Sequence, residues 1–239
     1  MNQKRFLAVS FGITWLSWWL LAILTGQGMV DSSHWIYMIL FALGGFGPTI
    51  AAILVLPRKI TVKSALSFIF SRKKHTIGYL ILFCGLQAVV FALGCRELNP
   101  EVPLYAVPIV VFSLTFFGGG NEELGWRGIL QPELEKKLPF PIATVITGGI
   151  WAAWHIPLWF IEGAGQQSMN FPLFALYAVV LSFWLAAIYK KSQCVFDCCV
   201  FHGFSNMILS LFVVQINWIL ILGLSGMVIL SVWVWYWRK

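Results

Sequence analysis

Charge is what this chain has least of: 10% of its 239 residues are Asp, Glu, Lys or Arg, against roughly 25% in a soluble globular domain. Acids are scarcer than bases, nine against sixteen, while 59% of the chain is hydrophobic and the mean hydropathy is +0.83. That composition excludes a soluble fold and predicts an all-α polytopic membrane protein. Internal repeats, low-complexity tracts and any stretch roomy enough for a soluble domain are also missing, so 1–239 is expected to form a single integral membrane domain. The five cysteines, Cys84, Cys95, Cys194, Cys198 and Cys199, lie in or beside apolar runs without a paired CxxC pattern. They read as packing residues rather than a thiolate metal site. No GxSxG elbow is present to carry a serine nucleophile.

What is present is a succession of apolar runs. At about 20 residues per crossing, eight candidates follow: 6–24, 35–56, 77–95, 104–128, 140–161, 170–189, 194–214 and 216–237. The basic residues test that count. Those at 4–5, 58–63, 72–74, 127, 136–137, 190–191 and 238–239 all fall on one side of the eight spans, leaving only Arg96 on the other. The positive-inside rule then predicts a multi-pass protein of the cell membrane with both termini cytoplasmic. Orientation thereby accounts for the +7 net charge without a nucleic-acid partner. Lys4 and Arg5 ahead of 6–24 resemble a signal-peptide start, but no small-x-small cleavage site follows, so this run is expected to be the first anchor. The stretch 57–75 is too charged to cross, yet Val62, Ala65, Leu66 and Ile69 recur at helical spacing. It is expected to be an interfacial helix lying against membrane lipid on the cytoplasmic surface.

Against this background a few polar residues stand out. Glu122 and Glu123 are adjacent, with Arg127 four residues beyond the second, at the end of an apolar run. A carboxylate at the centre of a bilayer costs at least about 2.5–3.5 kcal/mol, so two side by side call for a use. Positions 123 and 127 are one helical turn apart and are expected to neutralise each other, while Glu122 points about 100° away. Gly118, Gly119 and Gly120 come just before, where glycine costs about 1 kcal/mol each relative to alanine in a helix. Close helix packing or a local break would offset that cost. His155 follows Trp151 by one turn and precedes Pro157, which loosens the helix around it. His202 and Asn206 are spaced i,i+4 and share a helix face. Asp197, five residues before His202, receives no role from the sequence.

Glu122, His155, His202 and Asn206 together supply a general base, a partner for the water and donors for a developing oxyanion, which is what peptide hydrolysis requires. Glu122, His155 and His202 also offer a ligand set for Zn²⁺, leaving a metal-dependent version open. Depth strains the assembly. A rise of about 1.5 Å per residue puts Glu122 and His202 roughly 9–12 Å from the cytoplasmic ends of their spans, and His155 roughly 20 Å if its helix begins at Phe140. The site is expected to assemble only if that helix starts later, tilts or kinks.

EExxxR at 122–127, an aromatic residue four before His155, and HxxxN at 202–206, in this order on separate spans, resemble the CPBP family of intramembrane endopeptidases. That family, also called Abi, includes the type II CAAX prenyl endopeptidases and bacterial proteins linked to bacteriocin processing or self-immunity. The resemblance implies about eight transmembrane helices around a cytoplasm-facing polar cavity, with catalytic motifs within 118–210. It implies that Glu122 and His155 activate water, that His202 and Asn206 form the oxyanion hole, and that Glu123 and Arg127 support the site. The implied substrate is a hydrophobic or prenylated peptide or protein. Trp151 stands where members usually carry Phe. Asn206 is better explained as an amide donor to an oxyanion than as a zinc ligand, so no cofactor is expected, with zinc as the alternative. The competing functions are a non-catalytic bacteriocin self-immunity or scaffold protein, and a transporter using the glutamates as a relay.

Overall fold

The computed structural model describes residues 3–56 and 61–237. Its elements in chain order are α1 (Gln3–Gly26), α2 (Trp35–Gly45), α3 (Gly47–Val55), α4 (Val62–Phe70), α5 (Ile77–Cys95), α6 (Val107–Phe116), α7 (Glu123–Gly125), α8 (Gln131–Glu135), α9 (Phe140–Trp154), α10 (Phe171–Ser192), α11 (Val195–Leu211) and α12 (Trp218–Tyr236). Short 3₁₀ turns and one π-helical stretch connect them. No strand occurs among the described residues beyond an isolated bridge between Leu98 and Phe212.

The all-α expectation holds, while the count of eight spans is not confirmed. Among the described residues six helical runs are long and apolar enough to cross a membrane, and the pair α2 and α3 makes a seventh if taken as one span bent by 47°. The bend lies at Gly45-Phe46-Gly47-Pro48, where Pro48 opens α3 and cannot donate a helical hydrogen bond. The remaining expected segment, 194–214, is α11, whose 17 residues rise only about 25 Å against an apolar layer of about 30 Å. Of the stretch 57–75, residues 57–60 lie outside the described residues and the rest carries α4 and the loop to α5.

Two compact units make up the chain: Met1–Arg58 with Leu124–Val179, and Lys59–Glu123 with Val180–Lys239. In the first, α1 buries hydroxyls and exposes hydrocarbon. Ser10, Thr14 and Ser17 are buried while Leu16, Leu20 and Ile23 are exposed. A bilayer favours that inverted pattern, because lipid solvates leucine and buried hydroxyls tie helices together. Thr14 Oγ1 donates to the Gly44 carbonyl at 2.7 Å, and Trp18 Nε1 to that of Phe41 at 3.0 Å.

The second unit builds on α5, α6, α11 and α12. Gln87 Nε2 on α5 donates to Ser205 Oγ on α11 at 2.7 Å, a buried polar link. Asn217 caps α12 through the amides of Ile219 and Leu220, and its own amide reaches the Gly94 carbonyl at the end of α5. A cap plus a cross-helix bond satisfies backbone groups that hydrocarbon would leave stranded.

Candidate active site

In the second unit the chain leaves α6 at Phe116 and turns sharply through the three glycines. Gly119 has φ +113°, a conformation L-residues avoid, and it redirects the backbone into a 3₁₀ turn over Gly120–Glu122. Gly120 serves the other purpose expected of the triplet. A Cβ there would overlap the Thr115 carbonyl and lie 2.5 Å from that of Cys199, so only glycine lets this turn approach both α6 and α11 so closely.

Around this turn the structure gathers Glu122, Glu123, His202 and Asn206. Glu122 is 5% exposed and ends the 3₁₀ turn, its amide donating to the Gly119 carbonyl at 3.0 Å. Asn206 Nδ2 donates to the Gly118 carbonyl at 2.9 Å. A Cβ built on Gly119 would lie 2.7 Å from Asn206 Nδ2 and 2.9 Å from His202 Nε2. Two side-chain nitrogens from one face of α11 therefore converge on a residue with no side chain of its own.

Glu123 reaches the site directly. Its Oε1 is 2.7 Å from His202 Nδ1, with the carboxylate fully buried and the imidazole 2% exposed. A carboxylate accepts, so Nδ1 carries the hydrogen and the ring is oriented with Nε2 towards Gly119. The spacing of 123 and 127 had drawn attention to Arg127 and missed this bond across 79 residues of sequence. Nor do the motif residues 122–127 form one continuous α-helix: the 3₁₀ turn gives way to a single α-turn at Glu123–Gly125 and then to a π-helix, Trp126–Leu130. π-helical insertions of this kind cluster at functional sites.

His155 and Arg127 belong to the first unit and both adjoin Trp151. Helix α9 does begin at Phe140, so a later start does not resolve the depth of His155. It stops at Trp154 and leaves His155 as its C-cap, followed by a 3₁₀ turn containing Pro157. His155 Nδ1 lies 2.8 Å from the Trp151 carbonyl. A carbonyl can only accept, so Nδ1 is protonated and Nε2 of a neutral ring bears the lone pair. Trp18, Trp151, Trp154 and Phe174 surround the ring, with centroids 4.5–6.2 Å away. The Arg127 guanidinium is buried with its carbon 5.6 Å from the Trp151 ring centroid.

Asp197 acquires a partner that the sequence did not suggest. It is fully buried in the first turn of α11, and Arg72, in the loop after α4, grips it with Nε at 2.9 and 2.8 Å from its two oxygens and with Nη2 on Oδ1. The carboxylate beside it holds the Arg72 guanidinium pKa above its ordinary value. All five cysteines are free thiols. Among the described residues no group of three His, Cys, Asp or Glu side chains is arranged to hold a metal ion.

Residues 103–208 match the family model of the type II CAAX prenyl endopeptidases, Rce1-like. The matched stretch contains the glutamate pair, His155, His202 and Asn206. The chain is also similar to CAAX prenyl protease 2 of Methanococcus maripaludis, 22% identical over 232 residues that cover 86% of this chain and 83% of that protein. The resemblance carried by the three motifs is thus borne out, and with the apolar helices it makes this an integral membrane protein.

Proposed function

We propose that this chain, a CAAX-type intramembrane protease by its match over residues 103–208, hydrolyses a peptide bond in a lipidated, CAAX-like or hydrophobic peptide. The observation that carries the reading is the convergence of His202 Nε2 and Asn206 Nδ2 beside Gly119, with Glu123 holding the histidine from behind.

Glu122 takes a proton from water as the oxygen attacks the scissile carbonyl. The family resemblance gives His155 a share in activating water, and with its Nδ1–H fixed on the Trp151 carbonyl the acceptor of its ring is Nε2. Attack places negative charge on the carbonyl oxygen. One hydrogen of the Asn206 amide is used on Gly118, and the second is directed at that oxyanion. His202, held through Nδ1 by the Glu123 carboxylate, turns Nε2 towards the same oxyanion. Collapse breaks the C–N bond, and Glu122 returns its proton to the leaving nitrogen, giving a carboxylate and an amine. No step passes through a metal. The distribution of basic residues supports cytoplasmic termini, a topology that requires α11 to cross as a short additional span.

The test is direct. Purified protein is incubated with a prenylated CAAX peptide and with an unprenylated hydrophobic peptide, and products are read by mass spectrometry with Glu122→Ala as control. Cleavage of the prenylated peptide at one bond, lost in the variant, is expected. Failure of correctly folded protein to cut either peptide would overturn the reading in favour of a scaffold or immunity protein.

A further inference from the structure

Helix α4 is too short to cross a bilayer: its nine residues, Val62–Phe70, rise only about 14 Å. Yet it is built with care. Thr61 and Ser64 form a reciprocal capping box at its start. Val62, Ala65, Leu66, Ile69 and Phe70 fall within one arc of its surface, while Lys63, Ser64 and Ser67 fall on the other side, where Phe68 is half-buried. The helix buries no residue, and Val62, Leu66 and Phe70 are 78%, 51% and 49% exposed. Segregated faces on a short helix with cations alongside are the signature of an interfacial element.

Charge identifies the partner. From residue 32 to residue 96 the chain contains no Asp or Glu, whereas Lys63, Arg72, Lys73 and Lys74 lie on or directly after α4, with Arg58 and Lys59 before it. Arg72 is committed to Asp197, and Lys63, Lys73 and Lys74 are exposed. The segment is also fastened to the protein. The Lys73 amide donates to the Ser192 carbonyl at 2.9 Å, Cys194 Sγ lies 3.5 Å from the Ile69 carbonyl, and the Phe70 and Phe196 rings are 5.0 Å apart. These ties and the Arg72–Asp197 pair converge on the end of α10 and the start of α11, the helix that carries His202 and Asn206.

We propose that 61–76 is a docking surface for anionic phospholipid headgroups, in which Lys63, Lys73 and Lys74 bind the headgroups, the Val62–Leu66 face enters the acyl boundary, and Arg72–Asp197 ties the docked helix to α11. Each lysine neutralised weakens the docked state about fivefold, the value of one basic residue at an anionic surface.

Nanodiscs of phosphatidylcholine, with or without a minority of phosphatidylglycerol, test it. A spin label is placed at Leu66→Cys, with Ser67→Cys about 100° away on the polar side, and accessibility to oxygen and to a water-soluble nickel chelate is measured. The labelled parent protein supplies the background from native thiols. With phosphatidylglycerol the label at 66 should gain oxygen and lose nickel accessibility while that at 67 stays in water, and Lys63→Gln, Lys73→Gln and Lys74→Gln together should abolish the shift. A label at 66 that stays in water overturns the proposal. So does one equally immersed in phosphatidylcholine alone, which removes headgroup charge from the account, or one already shielded in detergent, which shows a covering protein segment. Since the readout uses no substrate, its failure is separate from failure of the peptidase reading.

Discussion

Gly119→Ala should disable the site while leaving most of the fold standing. Two effects combine. A non-glycine residue at φ +113° stores about 1–3 kcal/mol of backbone strain. The new methyl would also lie 2.7 Å from Asn206 Nδ2 and 2.9 Å from His202 Nε2, well inside contact distance, so one or both side chains must withdraw. Both are ends of side chains, so they have room to yield where backbone would not. Misplacement of reacting groups by about 1 Å costs on the order of 10²-fold in rate. The loss should fall on kcat, with KM little changed, because these donors act on charge that exists only in the transition state. The thermal midpoint in detergent should drop by about 2–4 °C per kcal/mol of strain. Two further glycines calibrate the result. Gly149→Ala in α9 meets no atom within 4 Å and should leave turnover unchanged with stability equal or higher by about 0.5–1 kcal/mol. Gly120→Ala strikes the carbonyls of Thr115 and Cys199, so folding itself should fail first. Cleavage of the prenylated peptide by mass spectrometry, beside thermal unfolding of each variant, reads the series. Turnover of Gly119→Ala within about threefold of the parent, where about 10²-fold loss is expected, would refute the convergence of His202 and Asn206 on this residue.

Glu122→Gln should keep fold and binding but lose about 10²–10⁴-fold in turnover, and near-parental turnover would remove Glu122 as the base. Arg72→Ala should destabilise the protein by about 3 kcal/mol, at the low end for a broken buried pair because Arg72 is partly exposed. The double variant with Asp197→Ala should recover part of that loss by thermal unfolding, whereas strictly additive effects would argue against the pair. Elemental analysis of active protein should find no stoichiometric zinc, with turnover surviving chelation. One zinc per chain whose removal and return switch activity off and on would reverse the metal-independent mechanism.

Much of the fold was legible because hydropathy and the bilayer impose the same requirement on every span. Each of the eight apolar segments carries helix in the structure, including the 17 residues of α11 and the pair bent at Phe46. The span count was less legible, for a physical reason. Hydropathy reports how apolar a run is, while crossing depends on how far its hydrogen-bonded ladder continues, and α2 is interrupted at the Gly-Phe-Gly-Pro stretch. Periodicity is a poorer guide at 122–127. It assumes a turn of 3.6 residues, but 3₁₀, α and π bonding follow one another within eleven residues, Gly120–Leu130, so the stretch does not follow a single helical period.

The site was legible as a set of residues before it was legible as a set of bonds. Buried carboxylates are costly, so Glu122, Glu123 and Asp197 each announced that something nearby stabilises them. The identity of that something is tertiary information. Local spacing offered Arg127 to Glu123, whereas the bond to His202 spans 79 residues. Asp197 had no candidate at all, because Arg72 lies 125 residues earlier in a basic run whose distribution already had a sufficient explanation in membrane orientation. A cation counted towards topology is still available for pairing. In a protein this poor in charge, a buried acid without a local partner therefore points to the loop cations nearest its own end of the helix, and for Asp197, in the first turn of α11, that rule selects the segment after α4 or the lysines ending α10. The bidentate reach of a guanidinium then favours the only arginine among them, which is Arg72.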